Sequence, residues 1–182
     1  MNELEHTPGQ ILLFSRNTPV LGDLIRHAQS HWLPPEHAQW THAMVDCWTS
    51  APELIVAEDL QGVRRVGLGH YVQDPLVQVI AAYDAPGVHI TSMLQKAQAL
   101  NSEAYATADL VRVYLARVLG WKAIDLSLLD SEDRVICSEF AARCLYAGGI
   151  DVRGGYRSFG LVTPGDLAAN VRLHQAAIWH RP

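Results

Sequence analysis

Apolar and polar positions along the chain fall into two regimes. Between residues 11 and 81 the apolar residues mostly come in short blocks or alternate with polar ones, and from Thr91 they recur at helical spacing. Residues 11–14, an apolar run after Pro8-Gly9, predict a buried strand. Leu21, Leu24, Ile25 and Ala28 share one face of a helix predicted over 20–30, and Pro34-Pro35 marks 32–39 as a loop. Residues 40–48 alternate, with His42, Met44, Asp46 and Trp48 on one side and Ala43, Val45 and Cys47 on the other. A turn over 49–52 brings the chain back as strand 54–58, completing a hairpin, and 62–66 and 76–81 predict further strands of a meander.

In the second regime Met93, Leu94, Ala97 and Leu100 mark one helix, and Ala108, Val111, Leu115, Val118 and Leu119 a second. A third begins near Cys137, after Val135-Ile136, and stops at Gly148-Gly149; Cys137, Phe140, Ala141, Cys144 and Leu145 form its apolar stripe. Thr163-Pro164-Gly165-Asp166 is a helix start, with Thr as cap, Pro in the first turn and a carboxylate three residues after the cap. Residues 176–179 predict a last strand. Strands in one block followed by helices predict an α+β fold, an antiparallel sheet packed against helices.

Composition narrows the function more than the fold. The 182 residues show no internal repeat or linker and fit a single domain, 1–182, able to bury a core unaided. A net charge of −5 argues against nucleic acid as the main partner. Three Cys at irregular spacing form no disulfide framework. No apolar run is long enough for a transmembrane segment, and the acidic, polar start Met-Asn-Glu-Leu-Glu-His lacks the pattern of a Sec signal. The expectation is synthesis in the cytoplasm, with any action in the periplasm needing a signal-independent secretion route. Neither a cofactor nor a metal is expected. His27 and His31 stand at i, i+4, but the intervening Ala28-Gln29-Ser30 lacks the Glu of a zinc-protease motif, and solvated helix positions explain them.

The candidate chemistry centres on Cys137. A thiol in the first turn of a helix feels the positive end of the dipole, which favours the nucleophilic thiolate. The alternative is that Cys137 heads a buried stripe, as free Cys commonly does. A thiolate nucleophile needs a base, usually His, and a third group that fixes the imidazole. Of nine His, His42 stands at the head of a predicted strand, a rigid place for a base. A turn centred near Ser50 would set Glu58 opposite His42, about 5 Å away at Cβ. A one-residue slip would offer Asp59 instead.

Several segments, in order, resemble the permuted papain-like amidases of the NlpC/P60 superfamily, the YiiX/YaeF-like group related to lecithin:retinol acyltransferase-like proteins. Gly9-Gln10-Ile11-Leu12-Leu13-Phe14 is similar to the opening strand, Thr41-His42-Ala43-Met44-Val45 to the base-bearing strand and Val56-Ala57-Glu58 to the acidic third position. Ile136-Cys137-Ser138-Glu139-Phe140 resembles the nucleophile segment, and Thr163-Pro164-Gly165-Asp166-Leu167 the closing helix. Phe140 replaces the usual Leu and Gln10 the usual Asp. The resemblance implies a circularly permuted papain-like fold, with Cys137 as nucleophile, His42 as general base and acid, and Glu58 as its orienting residue. It also implies amide substrates, foremost peptidoglycan stem peptides, met as an exported antibacterial toxin with an immunity protein or as a phage-type lysis enzyme.

Two other readings stand beside it. Lipid acyl hydrolysis or transfer follows from the acyltransferase relatives, with Trp32, Trp40 and Trp48 as apolar contacts. A non-catalytic binding domain can occupy the same fold. Arg153 and Arg157, in the Gly-rich stretch 151–160, are candidates to meet an anionic substrate, and Arg64-Arg65 a solvent-facing pair.

Overall fold

The computed structural model describes residues 6–47, 53–58, 62–101, 104–105, 114, 134–156 and 158–182, with 53–58, 104–105 and 134 described through their backbone. In chain order the elements are β1 (Ile11–Arg16), α1 (Leu21–Gln29), α2 (Pro35–Ala38), β2 (His42–Asp46), β3 (Glu53–Glu58), β4 (Gly62–Gly67), α3 (Leu68–Gln73) and β5 (Val77–Asp84). There follow α4 (Ile90–Ala99), β6 (Ala104–Tyr105), β7 (Arg134–Val135), α5 (Cys137–Ala147), a 3-10 turn (Phe159–Leu161), α6 (Pro164–Ala168) and β8 (His174–His180). Six strands form one antiparallel sheet in the order β4-β3-β2-β1-β5-β8, and β6 and β7 pair in parallel beside it. The chain is α+β, an antiparallel sheet with helices packed against it.

β1 lies at the centre because its side chains are apolar on both faces. Ile11 and Leu13 join Ala43, Val45, Ala81 and Tyr83 in the cluster that packs on α4 and α5. Leu12 and Phe14 join Met44, Ile80 and Ala82 on the other face, covered by Leu68 and Tyr71 of α3. These four β1 side chains are 0% exposed, and burial of each stabilises the fold by about 1.5–3 kcal/mol. A third cluster joins Ile25 and Ala28 of α1 to Tyr114, Ile136 and Leu161.

The predicted hairpin exists as β2 and β3, and β4 extends it as a meander. The next strand departs from expectation. β5 does not continue past β4 but returns to the far side of β1, because α3 carries the chain from one edge back across the sheet. Its apolar residues Ile80 and Ala82 then bury against β1 rather than against the half-exposed β4. Within the predicted loop 32–39 the chain makes the short helix α2, with Pro35 in its first turn, where a missing N–H costs no hydrogen bond. The turn 49–52 lies outside the described residues, as does the predicted helix 108–119 apart from Tyr114, which is helical and buried. Among the described residues no helix is long and apolar enough to cross a membrane.

Candidate active site

Cys137 is the first residue of α5, after an extended Ile136 (φ −94°, ψ 161°). The stripe read from the sequence is buried throughout, with Cys137 2% exposed. The other side of the first two turns is buried too. Ser138 donates its hydroxyl to the Val162 carbonyl (2.7 Å), and the Glu139 carboxylate accepts from Arg143 (2.6 Å) and, at 3.5 Å, from the Ile136 amide. A carboxylate at this position complements the helix dipole and occupies part of the positive end that Cys137 shares. Cys144 is fully buried on the stripe, and Cys47 is half-buried against the same cluster.

Hydrogen bonds fix which way α5 runs across the sheet. At its C-terminal end the Gly148 carbonyl accepts from the His89 amide (2.8 Å), beyond the end of β5 that pairs with Ile11. At its N-terminal end the Ser138 bond ties it to the strand-like Val162, which leads into Thr163 and α6. Thr163 and Asp166 form the expected reciprocal cap, the Thr163 amide donating to Asp166 Oδ2 (2.9 Å) and the Asp166 amide to Thr163 Oγ1 (3.2 Å). Next to this cap the Gly165 amide donates to Gln29 Oε1 (2.8 Å), while Gln29 Nε2 donates to the carbonyls of Ala38 (2.9 Å) and Trp40 (2.8 Å). This fully buried Gln29 therefore joins α1, α6 and the segment that leads into β2. Cys137 and His42 stand at the same end of the sheet.

They stand on different faces of it. His42 is paired with Phe14, and its ring lies 6.2 Å from the Phe14 ring and 6.3 Å from that of Tyr71, centroid to centroid. Phe14, Met44 and Tyr71 belong to the α3 face. Ala43 and Val45, the alternate residues of β2, belong with Cys137 to the α5 face. The sheet thus separates imidazole from thiol, and no hydrogen bond between described residues joins them. The expectation that the two groups meet is not met in this arrangement, for the reason that β2 is buried on both sides: alternation alone cannot say which set of residues faces the helix.

His42 is 8% exposed, and its Nε2 has no hydrogen-bond partner. Removal from water, with a smaller contribution from the Arg16 guanidinium, lowers its pKa to about 3, so the ring is neutral near pH 7. Arg16 is held by Asp74 (2.6 Å), whose carboxyl is kept below its usual pKa by bonds to the Leu76 amide and to Arg16 against the opposing effect of burial. Thr41 accepts from the Arg16 amide at 2.9 Å and donates its own amide to the Phe14 carbonyl at 2.8 Å, which fixes the start of β2.

The β2–β3 register pairs Met44 with Val56, Val45 with Ile55 and Asp46 with Leu54. Continued by two residues, it sets Glu58 opposite His42, the register assumed from the turn centre; Asp59 lies outside the described residues. Sequence reasoning missed an imidazole–carboxylate pair at the other end of β2, where His6 Nδ1 lies 2.5 Å from Asp46 Oδ2 with the carboxylate fully buried. The signal was an acidic residue within an otherwise apolar strand, since a buried carboxylate demands a partner. Gln29 was missed for the same reason: its polarity hid its burial. Arg153 is bound to Asp151 through two nitrogens (2.9 and 2.7 Å) and stacks on Tyr146 and Phe159, while Arg157 lies outside the described residues.

Trp40 is 1% exposed core, not a lipid contact; Trp32 donates to Asp166 (3.3 Å), and Trp48 lies outside the described residues. Arg65 faces solvent beside Gln98, and Arg64 is half-buried. His27 and His31 stack edge to face on an exposed surface, and no group of three or more His, Cys, Asp or Glu among the described residues is placed to hold a metal. No protein-family model matches the sequence, and no curated protein matches it.

Proposed function

We propose that the protein is a cysteine hydrolase of the permuted papain-like type, cleaving an amide bond through Cys137 and His42, with Glu58 orienting the imidazole. One observation carries the reading: a cysteine opens an 11-residue helix at the same end of the sheet as a neutral histidine whose Nε2 is unpartnered. The Cys137 sulfur attacks an acyl carbonyl, and the Cys137 proton passes to His42 Nε2. The imidazolium then protonates the departing amine, and water activated by the neutral ring releases the acyl group and restores the thiol. The reading requires His42 to turn from the Phe14 face around the end of β2. His42 is the first residue of that strand, so the turn breaks its pair with Phe14 and must shift the Thr41 bonds beside it, while Met44 to Asp46 stay paired with β3.

The resemblance stated above names the substrate class, peptidoglycan stem peptides, which implies delivery to the periplasm and an immunity partner in the producing cell. The test is mass spectrometry of muropeptides before and after exposure to purified protein. A stem-peptide amide is cleaved by the wild type and not by Cys137→Ala. Undiminished cleavage by Cys137→Ala overturns the assignment, and release of fatty acid from lipid vesicles in place of muropeptide cleavage favours the acyl-lipid alternative.

A non-catalytic binding domain is the second reading, and the sheet that stands between thiol and imidazole favours it. In that case Cys137 is a packed thiol, and iodoacetamide at neutral pH leaves it unmodified in the folded protein.

A further inference from the structure

At the end of the sheet away from Cys137 and His42, the segment before β1 and the segment after β5 enclose a cavity of about 280 Å³. Each wall is fixed by bonds to a neighbouring element. On the first, the Gly9 amide donates to the Asp46 carbonyl (2.8 Å) and His6 Nδ1 lies 2.5 Å from Asp46 Oδ2. On the second, the His89 amide donates to the Gly148 carbonyl (2.8 Å) and the Val88 amide to the Ala85 carbonyl (3.0 Å). Pro8, Pro86, Val88 and Ile90 give the cavity apolar sides. Among the described residues no Lys, Arg or His lines it, and Asp84 is its charged group.

The Asp84 carboxylate is oriented but not neutralised. Its Oδ1 accepts from Gln10 Nε2 (2.8 Å), and Gln10, 6% exposed, is held in turn by the Thr7 amide, which donates to its Oε1 (2.7 Å). Among the described residues no cation pairs with Asp84; His174, across from it on β8, makes no ion pair with it. Two helix ends meet at the second wall, the C-terminal end of α5, where Gly148 abuts Val88, and the N-terminal end of α4 at Ile90. Their partial charges are opposite, so the carboxylate decides which sign of charge the cavity favours. We infer that this cavity binds a primary ammonium group on a short unbranched aliphatic stem, the ammonium on Asp84 Oδ2 and the stem against Val88 and Ile90. Apolar walls with one convergent charged group are the usual make-up of a small-ligand site, and this volume, at the low end for such sites, suits a stem of a few methylenes. A free amine and a lysine side chain offer the same group. The site is separate from the corner that holds Cys137 and His42 and does not depend on the activity proposed there.

Amide NMR titration of the full chain with n-butylammonium chloride tests the inference, with n-butanol at matched ionic strength as the neutral control. Butylammonium produces saturable shifts at the Thr7, Gly9, Val88 and Ile90 amides in the millimolar range, and butanol binds about fivefold more weakly or less. Asp84→Asn, a change at an exposed position that keeps an oxygen for Gln10 Nε2, folds as the wild type and weakens butylammonium binding to the level of butanol. Ile90→Lys, at a position 45% exposed, sets an ammonium of the chain's own at the cavity and removes binding of the added amine. In a second arm, Nα-acetyl-lysine amide gives the same shifts if a lysine side chain is the source and none if the cavity takes small free amines alone; either result beside butylammonium binding supports the site. Absence of butylammonium shifts at these amides overturns the inference. So does equal binding of butanol, or binding that Asp84→Asn leaves undiminished.

Discussion

At the scale of single residues, His42 gives the clearest coupling between burial and chemistry. Its pKa falls from 6.5 to about 3 on folding, so between these values the unfolded chain binds a proton that the folded chain refuses. The stabilisation is complete above about pH 6.5 and is lost as pH drops towards 3, at roughly 1 kcal/mol per pH unit. His42→Phe, an apolar ring among Phe14 and Tyr71, removes that dependence. The melting temperature of the variant therefore falls less between pH 7.5 and pH 5 than that of the wild type. Equal falls in the two proteins would place the acid sensitivity elsewhere.

Gln29 makes a second case at this scale. Gln29→Ala strands the Ala38 and Trp40 carbonyls and the Gly165 amide in a buried corner, and each unsatisfied group costs about 1–3 kcal/mol. A loss of more than about 2 kcal/mol in urea unfolding is expected. Gly165→Ala acts on the same corner by overpacking, since a Cβ there would lie 2.6 Å from Leu33 Cδ1 and 2.8 Å from the His37 carbonyl oxygen. Neither contact was legible in the sequence, because they join residues more than a hundred positions apart.

At the scale of elements, the helix that begins at Cys137 was the most legible part of the chain. Its stripe and its Gly148-Gly149 stop both follow from spacing alone, and Gly149 adopts a positive φ of 92° that suits glycine. The burial of its polar side was not legible, because it depends on Val162 and on the internal Glu139–Arg143 pair. Glu139→Ala removes a carboxylate bonded to a nearly buried guanidinium and to the Ile136 amide, and destabilises the fold by about 1.5–3 kcal/mol, read by denaturant unfolding. Strand β2 shows the opposite balance. Its alternation gave the strand and, with the turn residues that follow, the hairpin, yet all five residues are buried and the pattern carries no sign of which face meets α5.

At the scale of the molecule, the separation into sheet and helices was readable and the strand order was not. β2, β3 and β4 are neighbours in sequence and pair in that order, whereas the return of β5 and the docking of β8 depend on which apolar surface remains uncovered once β1 is in place. The same long-range packing decides the position of the candidate site: one corner of the sheet holds Cys137 on one face and His42 on the other. The central claim is that these two groups meet in solution when the end of β2 turns. Site-resolved alkylation of Cys137 by iodoacetamide as a function of pH, in the wild type and in His42→Phe, tests it most directly. The account predicts rapid modification near neutral pH in the wild type and a profile displaced to higher pH in the variant. Superimposable profiles, or a Cys137 that resists modification until the protein unfolds, would contradict it.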